Sequence, residues 1–147
     1  MPKLLLFAAC EKVLIDQQNN ASLISLLQEV KVQVPEAGPL PAQGTAAALK
    51  WDVLTLWLKT DDDIGKHYEQ RIELFNPEDH STDVSGTAPI PFEPQKTGHR
   101  LTATIVGFPL GWSGRYTLKL WLYESGHQMQ APIAEYPIVV SYEVLKK

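Results

Sequence analysis

The chain has 147 residues, 44% hydrophobic and 20% charged, so it is neither a disordered chain nor a collagen-like one. Its formal net charge of −4 lacks the basic balance of a general nucleic-acid binder, and we expect no nucleic-acid partner. The single cysteine excludes an internal disulfide and a four-cysteine zinc site.

The chain opens with Met1-Pro2-Lys3 and an apolar run ending at Cys10, a pattern that imitates a lipoprotein signal. The run is too short for a secretory signal, which needs an apolar region of about 7–15 residues in a segment of about 15–30. We therefore predict a buried first strand over residues 4–16, with Cys10 as a small core residue. No other stretch approaches the ~18 apolar residues of a transmembrane helix, so we expect a cytoplasmic protein outside the membrane.

The next two segments depart from simple alternation. Residues 22–34 end in valines that alternate with polar residues, but Leu26-Leu27 breaks the phase, and we predict a bulge there within one strand. Residues 46–60 are apolar on both faces near their end, which is typical of a central strand covered on both sides.

The later segments alternate apolar and polar residues with the period of a strand. They cover residues 67–75, 100–108, 114–124 and 133–144. In the clearest case, the residues predicted to face the core are Tyr116, Leu118, Leu120 and Leu122. Residues 76–94 are predicted to be irregular, with any helix limited to a single turn inside residues 76–85.

Seven such segments, separated by Gly, Pro and Asn turns and without a strand–helix–strand rhythm, indicate an all-β protein. We predict an antiparallel β-sandwich of about seven to eight strands, immunoglobulin-like or C2-like. A chain of this size buries roughly 68–70% of its unfolded surface, so we expect a single domain over residues 1–147.

Two stretches carry a resemblance. Residues 114–122, with Tyr116 after a glycine turn, resemble the late strand of immunoglobulin-like sandwiches, which implies that the Tyr116 hydroxyl bonds to nearby backbone. Residues 10–16 and 21–27 resemble the opening hairpin of a family of small uncharacterised bacterial and phage β-sandwich proteins. The resemblance implies a single sandwich domain and carries over no catalytic or binding residue.

The acidic turn Asp61-Asp62-Asp63-Ile64-Gly65 is the sharpest local charge feature. It faintly matches a calcium loop, but the bidentate glutamate that such a loop needs is not in register. We therefore predict a turn whose aspartates bind backbone amides. The four histidines form no metal-ligating pair, and we expect no metal and no cofactor.

Catalytic signals are weak. The chain has no Gly-x-Ser-x-Gly elbow, and its Ser-Gly dipeptides fit turns. Cys10 would need a cationic, partly exposed setting to react, but its neighbours Glu11 and Lys12 face the other side of the strand. We predict that the protein is not an enzyme.

Aromatic residues give the candidate site. If the leucines of residues 114–124 face the core, two aromatic residues of that strand point outward, and we predict the same for two tryptophans of residues 46–60. The predicted partner-binding residues are Trp51, Trp57, Trp121 and Tyr123. Three uses stay open: cover by the Pro-rich residues 87–94, a protein interface, or a platform for sugar rings.

We expect a non-catalytic interaction or assembly module of bacterial or phage type. It would bind a protein partner or a second copy of itself as a homodimer, through a sheet face or a free strand edge. The alternative is a ligand-binding module for carbohydrate or calcium, using the aromatic face or the acidic turn.

Overall fold

Strands dominate the chain, and the computed structural model describes them in residues 1–36, 38–91, 97–125, 127 and 131–145. The described strands are β1 (Lys3–Ile15), β2 (Ala21–Leu26), β3 (Glu29–Pro35), β4 (Ala46–Leu58), β5 (Tyr68–Phe75), β6 (Ser81–Ile90), β7 (Gly98–Pro109), β8 (Gly114–Glu124) and β9 (Ala134–Leu145). A 3-10 turn at Asp61–Asp63 is the only helical element in these ranges. No helix in them is long and apolar enough to cross a membrane.

The strands pair into two sheets that pack face to face, so the predicted all-β sandwich is confirmed. One sheet has four strands in the order β2-β1-β4-β7, and the other has five in the order β3-β9-β8-β5-β6. Every pairing is antiparallel except the parallel pair of β3 and β9. The nine described strands exceed the predicted seven to eight for two local reasons.

The first reason is a sheet crossing where we predicted a bulge at Leu26-Leu27, and that prediction is wrong. β2 belongs to the four-stranded sheet and β3 to the five-stranded sheet. The Leu27 amide donates to the Ala9 carbonyl at 2.9 Å, and the Gln28 carbonyl accepts from the Val139 amide at 3.0 Å. Neighbouring residues therefore bind different sheets, and the broken phase marks a change of sheet.

The second reason is β6, which lies inside the segment predicted to be irregular or to hold a helical turn. That prediction is wrong for Ser81–Ile90. Asn76 Oδ1 accepts from the amides of Glu78 and His80, at 2.9 and 3.0 Å, and closes the turn that precedes the strand. β6 ends its sheet and carries Pro89, which an edge strand tolerates because one side of its backbone needs no partner.

The core lies between the sheets. The residues of β8 predicted to face it (Tyr116, Leu118, Leu120 and Leu122) are at most 1% exposed, which confirms their phase. β1 also forms, and Cys10 within it is fully buried as predicted. The strand as a whole is not buried, because only residues 8–10 are, so the prediction of a buried strand holds at its centre alone. The apolar start of the chain is thus built into a strand.

The corner contact predicted for Tyr116 is made by another tyrosine. The Tyr116 ring is fully buried beside Phe108, but its hydroxyl has no hydrogen-bond partner among the described residues. Tyr142 instead accepts from the Gly111 amide at 3.1 Å and donates to the Trp112 carbonyl at 3.2 Å. The β7–β8 corner is therefore held by a side chain of β9.

Candidate interaction surfaces

Trp51 and Trp57, predicted to point outward toward a partner, lie inside the sandwich, and that prediction is wrong. Both side chains are 0% exposed. Trp51 Nε1 donates to the Gly107 carbonyl and Trp57 Nε1 to Gln70 Oε1, each at 3.0 Å, so each buried indole has its polar atom satisfied. Because β4 is apolar on both faces, alternation showed which residues share a face but not which face is inward.

Trp121 and Tyr123 lie on the outer face of the five-stranded sheet, as predicted, and both are half-buried. The Trp121 ring centroid lies 6.0 Å from that of Phe75, and Lys119 Nζ lies 4.3 Å from the Phe75 centroid. Neighbouring side chains of the same sheet therefore cover part of this aromatic surface. The structure does not bring the four predicted residues together, and the partner role of these two stays a prediction.

The cover expected from residues 87–94 takes a different form. Residues 87–90 belong to β6 and pair with β5, where Thr87 stands opposite Arg71. This part of the segment extends the sheet sideways and does not fold over the rings. Phe92 and the rest of residues 92–94 lie outside the described residues.

The acidic turn uses Asp63 as a structural anchor. The carboxylate accepts from the Thr60 amide at 2.7 Å, the Thr60 hydroxyl at 2.8 Å and the Tyr68 hydroxyl at 2.9 Å, and the Met1 amine lies 2.9 Å away. Burial raises the pKa of Asp63, but these hydrogen bonds outweigh it and lower the pKa to about 2. Both carboxylate oxygens are therefore occupied by the fold. Across the described ranges, no group of three or more His, Cys, Asp or Glu is placed to hold a metal ion.

Cys10 sits in surroundings that suppress reactivity. The thiol is 0% exposed, and burial together with the nearby Asp52 charge raises its pKa. The thiolate, which is the nucleophilic form, is disfavoured by both causes. The geometry at Cys10 therefore gives no support to nucleophilic catalysis.

Sequence reasoning missed an exposed apolar surface on the outer face of the four-stranded sheet. Strand pairing places on one side of β1, β2 and β4 the apolar residues Leu6, Leu14, Ile24, Leu26, Leu54 and Leu56, which we call the apolar face. Leu54 within it is buried, and the exposed Lys12 stands on the same side opposite Ile24. Leu26 is 52% exposed, Leu14 43%, Ile24 41% and Leu6 37%. A signal for it was present, because residues 4–10 and 13–15 are apolar at consecutive positions and a strand of that kind is apolar on both faces.

The apolar face surrounds a buried carboxylate. Asp52 is 8% exposed, and its oxygens accept from the Val13 amide at 2.9 Å and the Thr104 hydroxyl at 2.8 Å. It thereby ties β1 and β7 across the central strand β4. The one acidic group within this face is thus satisfied by the sheet, which leaves the surrounding side chains to set its chemistry.

No family model matches the chain, and no curated protein matches it.

Proposed function

We propose that this protein is a non-catalytic assembly module that forms a homodimer through the apolar face. The observation that supports this is the set of exposed leucine and isoleucine side chains on the adjacent strands β1 and β2. Monomeric proteins rarely expose contiguous apolar patches larger than a few hundred Å², and larger ones mark interaction sites. Covering these side chains removes apolar area from water, which stabilises association.

A second copy is the partner that this chemistry favours. In a two-fold dimer the same patch meets itself, so an apolar patch is complementary to its own copy, whereas a patch of one charge sign repels it. The edge of the same sheet supports this choice, since β2 is a six-residue end strand with an unpaired side. The interface we propose thus combines the apolar face with the unpaired edge of β2 beside it.

The cellular location and the origin that we propose are the ones predicted from the sequence. We propose a cytoplasmic protein of bacterial or phage type, as the resemblance implies. Support for the location comes from β1, in which the signal-like apolar start is part of the sheet and Ala9 is 0% exposed. Cell fractionation of the full chain tests the location, and recovery from the membrane or the periplasm would contradict it.

The test is the molar mass of the full chain by light scattering across a concentration series into the high micromolar range. We expect the wild-type protein to approach the mass of a dimer. Ile24→Glu places a charge at the centre of the proposed contact and is expected to weaken association at least tenfold. Like charges brought together in an interface oppose binding.

The matched control is Val139→Glu. Val139 is 41% exposed, the same fraction as Ile24, but it lies on β9 in the other sheet. We expect this variant to dimerise like the wild type. A wild-type chain that stays monomeric at the highest concentration, or a control that loses association as fully as Ile24→Glu, would overturn the proposal.

A further inference from the structure

The two edges of the sandwich differ in how they close. On one side the chain passes from β2 to β3 and bridges the sheets. On the other side β6 ends the five-stranded sheet and β7 ends the four-stranded sheet, with no shared ladder between them. A cavity of about 440 Å³, which we call the edge trough, opens between these strands and is walled by residues 83–88 and 103–106.

Small inward-facing residues create the edge trough. Gly86 stands opposite Ile72, Ala88 opposite Gln70, and Ala103 opposite Val53. A Cβ built on Gly86 would meet no atom within 4 Å, so the space over the strand is open. Larger side chains at these positions would fill the space, as they do in a closed sandwich edge. The trough therefore gives solvent a path to the floor of the core.

That floor holds a polar group with unused donors. Gln70 is 4% exposed, and its Oε1 accepts from the Thr55 hydroxyl at 2.7 Å and from Trp57 Nε1 at 3.0 Å. Because an indole N–H can only donate, the oxygen of the carboxamide must face Trp57, which fixes Nε2 on the other side. Within the described ranges no acceptor pairs with Nε2, although Gln70 lines the trough. Solvent that enters the trough can reach this donor, and a ligand that brings an acceptor would take the place of that water without leaving the donor unpaired.

The walls supply hydrogen-bonding groups of a second kind. Along an edge strand, alternate backbone N–H and C=O groups point away from the sheet and lack a ladder partner. Both walls of the trough are such edges, β6 in one sheet and β7 in the other. A compact small molecule would meet few of these groups, whereas an extended peptide pairs with them in series. The geometry therefore favours a strand as the occupant.

We propose that the edge trough binds an extended segment of a partner protein by strand addition. The wall at residues 83–88 takes about six residues at 3.2–3.4 Å each. The segment would point alternate apolar side chains inward and offer one oxygen acceptor to Gln70 Nε2. Among the described residues that line the trough, Asp83 is the one with a charge, so a basic residue near it is favoured and an acidic one disfavoured. The edge trough is separate from the apolar face, so this proposal is tested independently of the homodimer.

The test uses a display library of random twelve-residue peptides, selected in parallel on the full wild-type chain and on Gly86→Ile. Isoleucine at position 86 fills the trough, and the open space there lets the fold accept it. Gln33→Ile is the matched control, because Gln33 is an exposed position on β3, the edge strand at the opposite side. Urea unfolding of both variants checks that they fold as the wild type does.

We expect wild-type selection to enrich peptides with alternating apolar residues, and their affinity to fall at least tenfold on Gly86→Ile but not on Gln33→Ile. Bound peptide should slow amide hydrogen exchange in residues 83–88 or 103–106, and a proline at the centre of the peptide should abolish binding. No enrichment on the wild type, or equal enrichment on Gly86→Ile, would overturn the proposal. Slowed exchange confined to β1 and β2 would assign the peptides to the apolar face and would likewise overturn it.

Discussion

The outer faces of the two sheets are built by the same alternation but differ in chemistry. On the five-stranded sheet, outward residues include charged side chains in pairs, with Arg71 3.3 Å from Glu73 and Lys119 2.8 Å from Asp79. On the four-stranded sheet the outward positions of β1 and β2 include exposed leucine and isoleucine side chains beside the cation Lys12, and the acid on the same side of β4, Asp52, is buried. One face is solvated by its own charges, and the other exposes apolar area.

The difference teaches that a sheet face must be judged by what it exposes after packing. Aromatic residues drew attention to the five-stranded sheet, yet Trp121 is half-buried against Phe75. Plain aliphatic residues on the other sheet remain uncovered, and Leu26 is 52% exposed. The prediction based on aromatic residues therefore selected a face whose side chains are less exposed than the aliphatic side chains of the other sheet.

The largest expected effect separates an inward tryptophan from an outward one. Trp57→Ala removes a fully buried ring and its hydrogen bond to Gln70, and we expect it to lower the free energy of unfolding by about 3–5 kcal/mol. Trp121→Ala removes a half-buried ring whose main aromatic contact is Phe75, and we expect a loss of about 1 kcal/mol. Urea unfolding monitored by circular dichroism measures both. Equal losses would mean that the two rings do not differ in burial as described.

Strands with a single apolar face could be predicted from the sequence, and β8 is the clearest case. The alternation of β8 was enough because its opposite face carries Arg115, Thr117 and Lys119. For β4 the same rule failed to choose a side, because both faces are apolar. Its inward side is set by packing against the other sheet, which no local pattern contains.

The two errors in strand number also have physical causes. β6 is an edge strand whose inward side carries Gly86 and Ala88 between the apolar residues Val84 and Ile90, so the apolar row that marks a strand is interrupted. The change of sheet after β2 is made by single hydrogen bonds at Leu27 and Gln28 to distant strands. Contacts of that range depend on the whole topology. The sequence therefore indicates that β1 is apolar on both faces but not which face stays uncovered, and it does not indicate the edge trough.

The next expected effect compares a carboxylate on each face. Asp52→Ala leaves the Val13 amide and the Thr104 hydroxyl without their acceptor inside the apolar face. We expect the free energy of unfolding to fall by about 1–2 kcal/mol, in the lower part of the range for unpaired buried donors, because Val13 is half-buried and Thr104 is exposed. Glu135→Ala, at an exposed position of the five-stranded sheet, should change it by no more than about 0.5 kcal/mol. Urea unfolding measures the free energy of unfolding of both variants. A similar small change in both would contradict the structural role of Asp52.

The smallest expected effect is a change with pH, and it concerns the contact of Asp63 with Tyr68, which links the two sheets. The contribution of this contact to stability should depend on pH. Asp63 follows β4 of one sheet and accepts a hydrogen bond from Tyr68 of the other. Its pKa of about 2 lies below the ordinary value near 3.9, so its stabilisation is complete above about pH 5 and is lost as the pH falls toward 2. We expect Asp63→Asn to cost about 2 kcal/mol at pH 7 and about half of that at pH 3.

Urea unfolding at several pH values between 7 and 3 measures the difference between this variant and the wild type. Asp62→Asn is the matched control, since Asp62 is exposed in the same turn. Its effect on the free energy of unfolding should be small at every pH. If the cost of Asp63→Asn stayed constant from pH 7 to pH 3, ionised Asp63 would not be what joins the ends of β4 and β5. The contacts between the sheets near this end would then be apolar packing and the hydrogen bonds that Gln70 of β5 accepts from Thr55 and Trp57 of β4.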